Sequence, residues 1–419
     1  MTRSKHEFFQ VAPGSTFQDA MTQAKLALAE AADGTKFSRK TPNNPYNLSF
    51  IKLQGKVYAL SRSNEPGKPH YLGRGNYGKV KYIMDEESQI YVVKIETTND
   101  PFQQMETRVG QALGLVKGDK QKQDDKEKYY TVMLDLGVNL TSYLSQNPNL
   151  APARRLDLAI QACLQLYDMH QHFVHRDIKP DNIVIDEHGL VHLIDFGLAE
   201  ALDDKGELKS VEGFLTEGMV LNAESRRVYN QLWTIGTPGF WPGTPREISI
   251  YHTKHDNILP SRMQKLGHIG CDNAALKRIL VNEHTGGGLF TRQFMATLPE
   301  ALFNLIRKNN VIFDENPEKE THDETKKMAA LFIFIHRQLI QCFNDHQIEE
   351  KNQNFQAYKR YRASGELLDD KEVEEILASP SRQEGLIDEY RGHLAVRSGH
   401  SEEAGPSTQT SVYSSGYFP

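Results

Sequence analysis

Cysteine is scarce in this chain of 419 residues, and so are long hydrophobic runs. The three cysteines, Cys163, Cys271 and Cys342, are far apart and odd in number, which argues against a disulfide framework and for free thiols in a reducing compartment. The longest apolar run, residues 328–335, is too short to span a bilayer, and the first ten residues hold no apolar signal segment. We therefore predict a soluble, cytoplasmic protein without a membrane span.

A large excess of either charge is absent as well. The formal net charge of −6 provides no overall attraction to nucleic acid or to an anionic membrane, and we expect neither partner. The length leaves room for a two-lobed catalytic domain of about 250 to 300 residues with extensions at both ends.

The most informative motif is HRDIKPDN, which runs from His175 to Asn182, with Asp195 of a DFG tripeptide thirteen residues further on. Two short apolar segments between them flank a turn signal at residues 186–189, which predicts a β-hairpin. Antiparallel pairing would bring Asn182 and Asp195 to one end of the hairpin as two hard oxygen ligands. This pair suits Mg²⁺, which uses few protein ligands and fills its shell with water and substrate phosphates, so a nucleotide is the expected partner.

A second motif, LGRGNYGKV at residues 72–80, contains GxGxxG, which alone is weak because dinucleotide-binding folds share it. The residues after it alternate and reach a turn instead of starting a helix, so the glycines are predicted to cap a β-hairpin that approaches phosphates. The next strand places Lys94 under this loop as an anion-binding lysine, with Glu106 as its counter-charge. A solvated edge lysine and an ordinary helix glutamate are the competing interpretations.

Asp177 lies five residues before Asn182 within the first motif. If Asn182 holds a metal on the phosphates, Asp177 can face the attacking hydroxyl in a base-like role, and Lys179 can neutralise the phosphoryl group in flight. The competing interpretation is a surface loop without catalytic function.

Together these residues resemble a eukaryotic-type protein kinase. The resemblance implies an α+β, bilobal protein-kinase-like fold, with a small β-rich N-lobe, a larger mainly α C-lobe, ATP and Mg²⁺ in the cleft and a protein substrate. Lys179 resembles the serine/threonine class, and residues 132–137 resemble the last N-lobe strand and the hinge, with Met133 as gatekeeper. The nucleotide-binding residues that the resemblance implies are Gly73, Arg74, Gly75, Asn76, Tyr77, Gly78, Val80, Val92, Lys94, Met133, Leu134, Asp135, Leu136 and Val184.

The sequence predicts several segments around this core. An alanine-rich stretch that follows a capping-box pattern at Ser15 predicts a helix over residues 16–33. The predicted divisions are an N-terminal extension with this one helix (1–49), the N-lobe (50–136), the C-lobe (137–345), a C-terminal helical extension (346–392) and a disordered tail (393–419).

Several departures from the family pattern accompany these matches. The APE motif is absent, and Asp272, which resembles the aspartate that anchors the catalytic loop, arrives late, so we expect a long activation segment and an insertion near residues 246–270. Gly110 stands where a bulky residue is expected, and Val92 where alanine is favoured.

Regulation can also be inferred from the resemblance. Arg176 resembles the arginine that binds a phosphorylated activation-loop residue, for which Ser225 and Thr234 are candidates.

Two alternatives to an active protein kinase stay open. A pseudokinase-like interaction module would keep the fold and dock partners through the inserted loops and long termini. A small-molecule phosphotransferase would use an aspartate and an asparagine in the same way as Asp177 and Asn182. Lys179 and the segment 236–240, which resembles a substrate-docking segment, argue against this alternative. Divergent flanks around an intact core would suit a bacterial effector delivered into a host cell, and the oligomeric state is left open.

Overall fold

The computed structural model describes residues 5–40, 43–62, 72–74, 78–96, 101–117, 121–122, 128–202, 269–281, 288–311, 323–363 and 369–397. These residues form two compact units, which are divided along the chain between Asp135 and Leu136. This division lies one residue before the predicted boundary between the two lobes.

An antiparallel sheet and two helices make up most of the first unit. Its strands are β1 (Lys36–Phe37), β2 (Ser49–Leu53), β3 (Lys56–Leu60), β4 (Gly73–Arg74), β5 (Gly78–Met84), β6 (Ile90–Glu96), β7 (Gln121–Lys122) and β8 (Tyr129–Leu134), and its helices are α1 (Phe17–Ala27) and α2 (Pro101–Ala112). The strand order is β1-β2-β3-β5-β6-β8-β7, with β4 paired to β5. Successive side chains of a strand point to opposite faces, and one face is covered by a buried cluster that includes Ile83, Val93 and Val132.

The N-terminal extension covers the opposite face of this sheet. Ala20, Met21 and Ala24 of α1 are buried in one cluster with Phe50 and Tyr82 of the sheet, and Val92 packs against the same cluster. A 3₁₀ helix (Lys5–Phe9) precedes α1 and places the ring of Phe8 6.1 Å from that of Tyr82. The extension is therefore part of the core of the first unit.

α1 is shorter than predicted. It begins after the N-cap Thr16, whose Oγ1 accepts a hydrogen bond from the Asp19 amide at 3.1 Å, and it ends at Ala27. Lys52 on β2 stops it, because its Nζ donates to the carbonyls of Ala29 and Ala31 at 2.8 and 2.9 Å. The chain then pairs with β2 instead of continuing as a helix to residue 33.

Helices predominate in the described part of the second unit. They are α3 (Leu140–Gln146), α4 (Pro152–Met169), α5 (Ile269–Leu280), α6 (Arg292–Met295), α7 (Glu300–Val311), α8 (Asp323–Asp345), α9 (Phe355–Ala363), α10 (Asp370–Ala378) and α11 (Pro380–Arg397). Short strands accompany them: β9 (Val138–Asn139), β10 (Phe173–Val174), β11 (Ile183–Ile185), β12 (Val191–Leu193) and β13 (Glu200–Ala201). The apolar run of residues 328–335 lies in α8, which packs against α4, so this run is core.

The C-terminal helix extends beyond the predicted end of the helical extension at residue 392. α11 continues to Arg397, because Arg397 Nη1 pairs with Asp157 of α4 at 3.1 Å and holds the last turn in place. The rest of the predicted tail lies outside the described residues, as do residues 203–268 with almost all of the predicted insertion.

Cys163, Cys271 and Cys342 are buried and form no disulfide. In the ranges given above, no helix combines the length and apolarity that crossing a membrane requires.

Gly137 supports a testable prediction about the second unit. Its φ is +93°, and a Cβ at this position would lie 2.0 Å from the carbonyl oxygen of Ile185. A positive φ costs an L-residue about 1–2 kcal/mol and overpacking about 1–3 kcal/mol, so Gly137→Ala should lower the free energy of unfolding by at least about 2 kcal/mol. Chemical denaturation measures the change.

Gly385 offers a matched control for this substitution. It lies on α11, and a Cβ there meets nothing within 4 Å. Gly385→Ala should therefore stabilise the protein by up to about 1 kcal/mol through helix propensity. Equal effects of the two substitutions would contradict the steric argument.

Candidate active site

Lys94 and Glu106 form the ion pair that the sequence predicts. Lys94 Nζ lies 2.7 and 2.6 Å from the two carboxylate oxygens of Glu106 on α2, and 3.5 Å from Oε1 of Glu96. Glu96 and Glu106 are both buried. A lysine held by a bidentate partner in a buried setting has a fixed position, which does not fit the competing interpretation of a solvated edge charge.

The space beside Gly110 is filled by Val116, a residue that the sequence did not predict to be there. A Cβ on Gly110 would lie 2.3 Å from Cγ2 of Val116, and the Gly110 carbonyl accepts hydrogen bonds from the amides of Leu115 and Val116 at 2.8 and 3.0 Å. Val116 is itself buried. The bulky side chain expected at position 110 is thus replaced by one from six positions later, and no local pattern in the sequence signals this exchange.

Four of the predicted nucleotide-binding residues share one face of the sheet. Val80 is paired with Lys94, and Val92 is paired with Met133. Directly opposed residues lie on the same face, and Val92 and Lys94 are two positions apart on β6. Val80, Val92, Lys94 and Met133 therefore project from the same side of the first unit.

The glycine-rich segment is described in part. Gly73 and Arg74 pair with Val80 and Lys79 in antiparallel register, which is the predicted hairpin, and Gly75, Asn76 and Tyr77 lie outside the described residues. A Cβ on Gly78 would lie 2.6 Å from the carbonyl oxygen of Ile95, so the close packing of β5 on β6 requires glycine there.

The remaining predicted nucleotide-binding residues lie around the end of β8 and on β11. Leu134 is the last residue of β8, and its amide donates to the carbonyl of Leu115 at 2.9 Å. The Asp135 carboxylate pairs with Lys5 of the N-terminal 3₁₀ helix. Leu136 opens the second unit, where Val184 is buried in β11.

Asp177, Lys179 and Asn182 form one hydrogen-bonded group in the second unit. Oδ2 of Asp177 accepts from Lys179 Nζ and, at 3.1 Å, from Asn182 Nδ2. Asn182 Nδ2 also donates to the Asp177 carbonyl at 2.8 Å. Asp177 is buried, so these donors hold its carboxylate in one orientation.

Asn182 and Asp195 lie at the same end of a hairpin, as predicted. β11 and β12 pair Ile183 with Leu193, and the amide of Ile194 donates to the Asn182 carbonyl at 3.0 Å. Because the side-chain nitrogen of Asn182 is used by Asp177, its Oδ1 is the atom left for a cation. An amide oxygen and the carboxylate of Asp195 are the hard donors that Mg²⁺ prefers, so this donor set fits magnesium.

Asp272 on α5 anchors the loop that carries Asp177. Its carboxylate accepts hydrogen bonds from the backbone amides of His175 and Arg176 at 2.6 and 2.8 Å, and His170 Nε2 lies 3.1 Å away. Burial alone would raise the pKa of Asp272, but the interactions with His170 and His175 outweigh it and lower the pKa. The loop is thereby fixed at Arg176, which has a φ of +69°.

Arg176 has a partner within the described residues. Its Nη1 lies 3.1 Å from Oε1 of Glu200, and both residues are buried. Burial lowers the pKa of Arg176, and the charges of Glu200 and Asp272 oppose this shift. Glu200 was not among the predicted residues, and the two candidate phosphorylation sites, Ser225 and Thr234, lie outside the described residues.

Comparison with known proteins agrees with this geometry. Residues 68–216 match the family model of the protein kinase domain. The chain is 30% identical over 154 residues to human serine/threonine-protein kinase 32B, covering 34% of this chain and 37% of the relative. It is 32% identical over 210 residues to serine/threonine-protein kinase PknB of Mycolicibacterium smegmatis, covering 46% of this chain and 32% of the relative.

Residues 68–216 therefore match a protein kinase domain, and the chain is similar to serine/threonine protein kinases at about 30% identity. Its fold class is α+β, with a β-rich N-terminal region and a helical C-terminal region. The chain spans about a third of the length of the two relatives named above.

Proposed function

We propose that this protein is an ATP- and Mg²⁺-dependent serine/threonine protein kinase, which transfers the γ-phosphoryl group of ATP to a hydroxyl of a protein. The observation that carries this proposal is the group of Asp177, Lys179 and Asn182, which is held together by hydrogen bonds on a loop anchored by Asp272. A pseudokinase has no need for a carboxylate that is oriented in this way. Lys179, two residues beyond Asp177, supports the serine/threonine class.

The proposed reaction assigns a separate role to each of these residues. Lys94, oriented by Glu106, would bind phosphate oxygens of ATP, and Asn182 and Asp195 would hold Mg²⁺. Bound Mg²⁺ would supply positive charge that stabilises the phosphates. The Asp177 carboxylate would accept the proton of the substrate hydroxyl, and Lys179 would stabilise the negative charge on the transferred group.

A labelling experiment tests the proposal. The full chain is incubated with γ-labelled ATP, Mg²⁺ and generic protein substrates, and the labelled amino acids are identified after hydrolysis. We expect label on serine or threonine, in the chain itself or in a substrate. Binding of ATP without any transfer would favour a pseudokinase, and transfer only to small molecules would favour a small-molecule phosphotransferase.

The acceptor and the cellular compartment of this activity are also proposals. We propose a protein as the phosphate acceptor. We also propose the cytoplasm as the compartment, because Cys163, Cys271 and Cys342 are buried without a disulfide. Delivery into the cytoplasm of a host cell agrees with these thiols equally well.

Glu106→Gln tests how Lys94 is positioned. The amide keeps the size of the side chain but removes the charge that holds Lys94 Nζ at 2.6 Å. We expect kcat/KM for ATP to fall about 100-fold, since a misplacement of about 1 Å can cost that factor. Steady-state kinetics measure the change.

Glu96→Gln is the matched control for this experiment. Glu96 is also buried, but its nearest oxygen lies 3.5 Å from Lys94 Nζ. Removal of the Glu96 charge should change kcat/KM for ATP less than tenfold, since Glu106, the bidentate partner of Lys94, is retained. If the two variants lose the same activity, Glu106 has no special role in orienting Lys94.

A further inference from the structure

The hairpin that carries the proposed magnesium ligands is held by α4 at its opposite, closed end. Arg154 Nη2 donates to the carbonyl of Gly189 in the turn at 3.0 Å. Gln161 Nε2 donates to the same carbonyl at 3.3 Å, and Gln161 Oε1 accepts from the amide of Val191 at 2.9 Å. Two side chains from one helix therefore grip the turn between β11 and β12.

Arg154 is itself held by a carboxylate on its own helix. Its Nη1 donates to Oδ2 of Asp157, one turn further along α4. Asp157 is only 7% exposed, so the pair is shielded from solvent. A shielded ion pair is screened much less by salt than an exposed one, and it fixes the direction of the guanidinium more firmly.

The C-terminal helix provides this shielding. The hydroxyl of Tyr390 on α11 donates to the Asp157 carboxylate and lies 3.3 Å from its carbonyl oxygen. Arg397 places Nη1 and Nη2 3.1 and 3.2 Å from Asp157 Oδ2. A continuous set of contacts thus runs from α11 through Asp157 and Arg154 to the turn of the hairpin.

We propose that Arg154 is a positioning residue for the magnesium ligands and that α11 acts on them through it. The strands of the hairpin contain three residues each, so each spans only about 10 Å, and a tilt of the turn moves the end that carries Asn182 and Asp195. This inference rests on the proposed function, because that proposal assigns the two ligands. It makes a helix beyond the family-matched residues 68–216 part of the catalytic unit.

Arg154→Gln in the full chain tests the inference in two ways. Without nucleotide, amide hydrogen exchange of residues 186–193 should become about tenfold faster, because the turn loses its anchor. Calorimetric titration with ADP should show that the variant needs about threefold to tenfold more Mg²⁺ than wild type for half-maximal binding of ADP. Loss of a direct partner of a metal ligand typically costs 10–100-fold, and Arg154 acts one step further away.

Two substitutions on α11 separate this role from simple docking of the helix. Arg397→Gln removes the contact with Asp157 and should raise the Mg²⁺ requirement in the same direction as Arg154→Gln. Arg391→Gln removes a comparable ion pair between α11 and α4, in which Arg391 Nη2 lies 2.5 Å from Asp168. This control should lower thermal stability to a similar degree but leave the Mg²⁺ requirement and the exchange of residues 186–193 unchanged.

The outcomes distinguish this inference from the proposed function. An Arg154→Gln protein with unchanged exchange in the turn and an unchanged Mg²⁺ requirement would overturn the inference. So would exchange that accelerates equally throughout the second unit, because this result would indicate general destabilisation. If the wild-type chain binds ADP with Mg²⁺ but transfers no phosphate, the proposed function fails while the calorimetric comparison still decides the role of Arg154.

Discussion

Asp177→Asn should reduce phosphoryl transfer by about a thousandfold or more while leaving nucleotide binding nearly unchanged. The amide has the shape of the carboxylate but cannot accept a proton from the substrate hydroxyl, and such proton transfer is typically worth about 10²–10⁴ in rate. The two hydrogen-bond donors beside Asp177 should make the loss of activity larger. Lys179 and Asn182 both donate to Oδ2 of Asp177, and an amide nitrogen at that position would face two donors.

The measurement is kcat with a protein substrate, together with the Kd for ADP in the presence of Mg²⁺. Asp181→Asn is the control, since Asp181 belongs to the same loop and its carboxylate is exposed, accepting a hydrogen bond from Thr141 Oγ1 at 3.0 Å. It should keep most of the activity. If Asp177→Asn retains wild-type kcat, Asp177 is not the base and the proposed mechanism is wrong.

Asp272→Asn should have the largest effect on stability and should also lower kcat. Its carboxylate accepts from two backbone amides and lies beside His170, all within a buried site. An amide group can satisfy only part of these donors, and the loss of one partner of a buried charged network typically costs about 3–5 kcal/mol. Denaturation by urea measures the loss, and kcat reports the displacement of Asp177 on the same loop.

The pH dependence supplies a further check on Asp272. The pKa of this carboxyl is lowered from its usual value of 3.8, so its stabilising contribution is present above about pH 4 and is lost as the pH falls through the folded-state pKa. The difference in stability between wild type and Asp272→Asn should therefore be constant between pH 5 and 8 and narrow at lower pH. A difference that shrinks already near neutral pH would indicate another titrating group.

Asp345→Asn is the control for the stability measurement on Asp272→Asn. Asp345 is an exposed residue at the end of α8, and this substitution should change stability by less than about 0.5 kcal/mol.

Much of the candidate site was predictable because its residues are fixed by local rules. The hairpin between Asn182 and Asp195 follows from two apolar segments around a turn, and its register places both residues at one end. The pairing of Lys94 with Glu106 follows from the resemblance to protein kinases, and the structure shows it at hydrogen-bonding distance. The roles of these residues in catalysis stay predictions until the variants are measured.

The features that could not be predicted depend on contacts between distant parts of the chain. α1 ends early because Lys52, 25 residues after Ala27, binds the carbonyls that follow the helix. α11 extends to Arg397 because Asp157, 240 residues earlier, pairs with it. A periodic pattern reports which face of a helix is apolar, but it does not report which distant side chain holds its end.

Glu200 and Val116 illustrate the same limit within the site. Val116 takes the place of a side chain that Gly110 lacks, which depends on the turn after α2 and not on the composition of the helix. Glu200 is an ordinary acidic residue in the sequence, and only the pairing of β10 with β13, which sets Val174 opposite Glu200, brings it to Arg176.

The packing of the N-terminal extension determines where this chain can be shortened. β3 pairs with the end of β5, and α1 covers the apolar face that includes Phe50, Tyr82 and Val92. A chain shortened only at its N-terminus, to begin at position 68 where the family match begins, would leave an open strand edge beside an uncovered apolar surface. Such edges and surfaces recruit further copies of the same chain, so the shortened protein should self-associate more than the full chain.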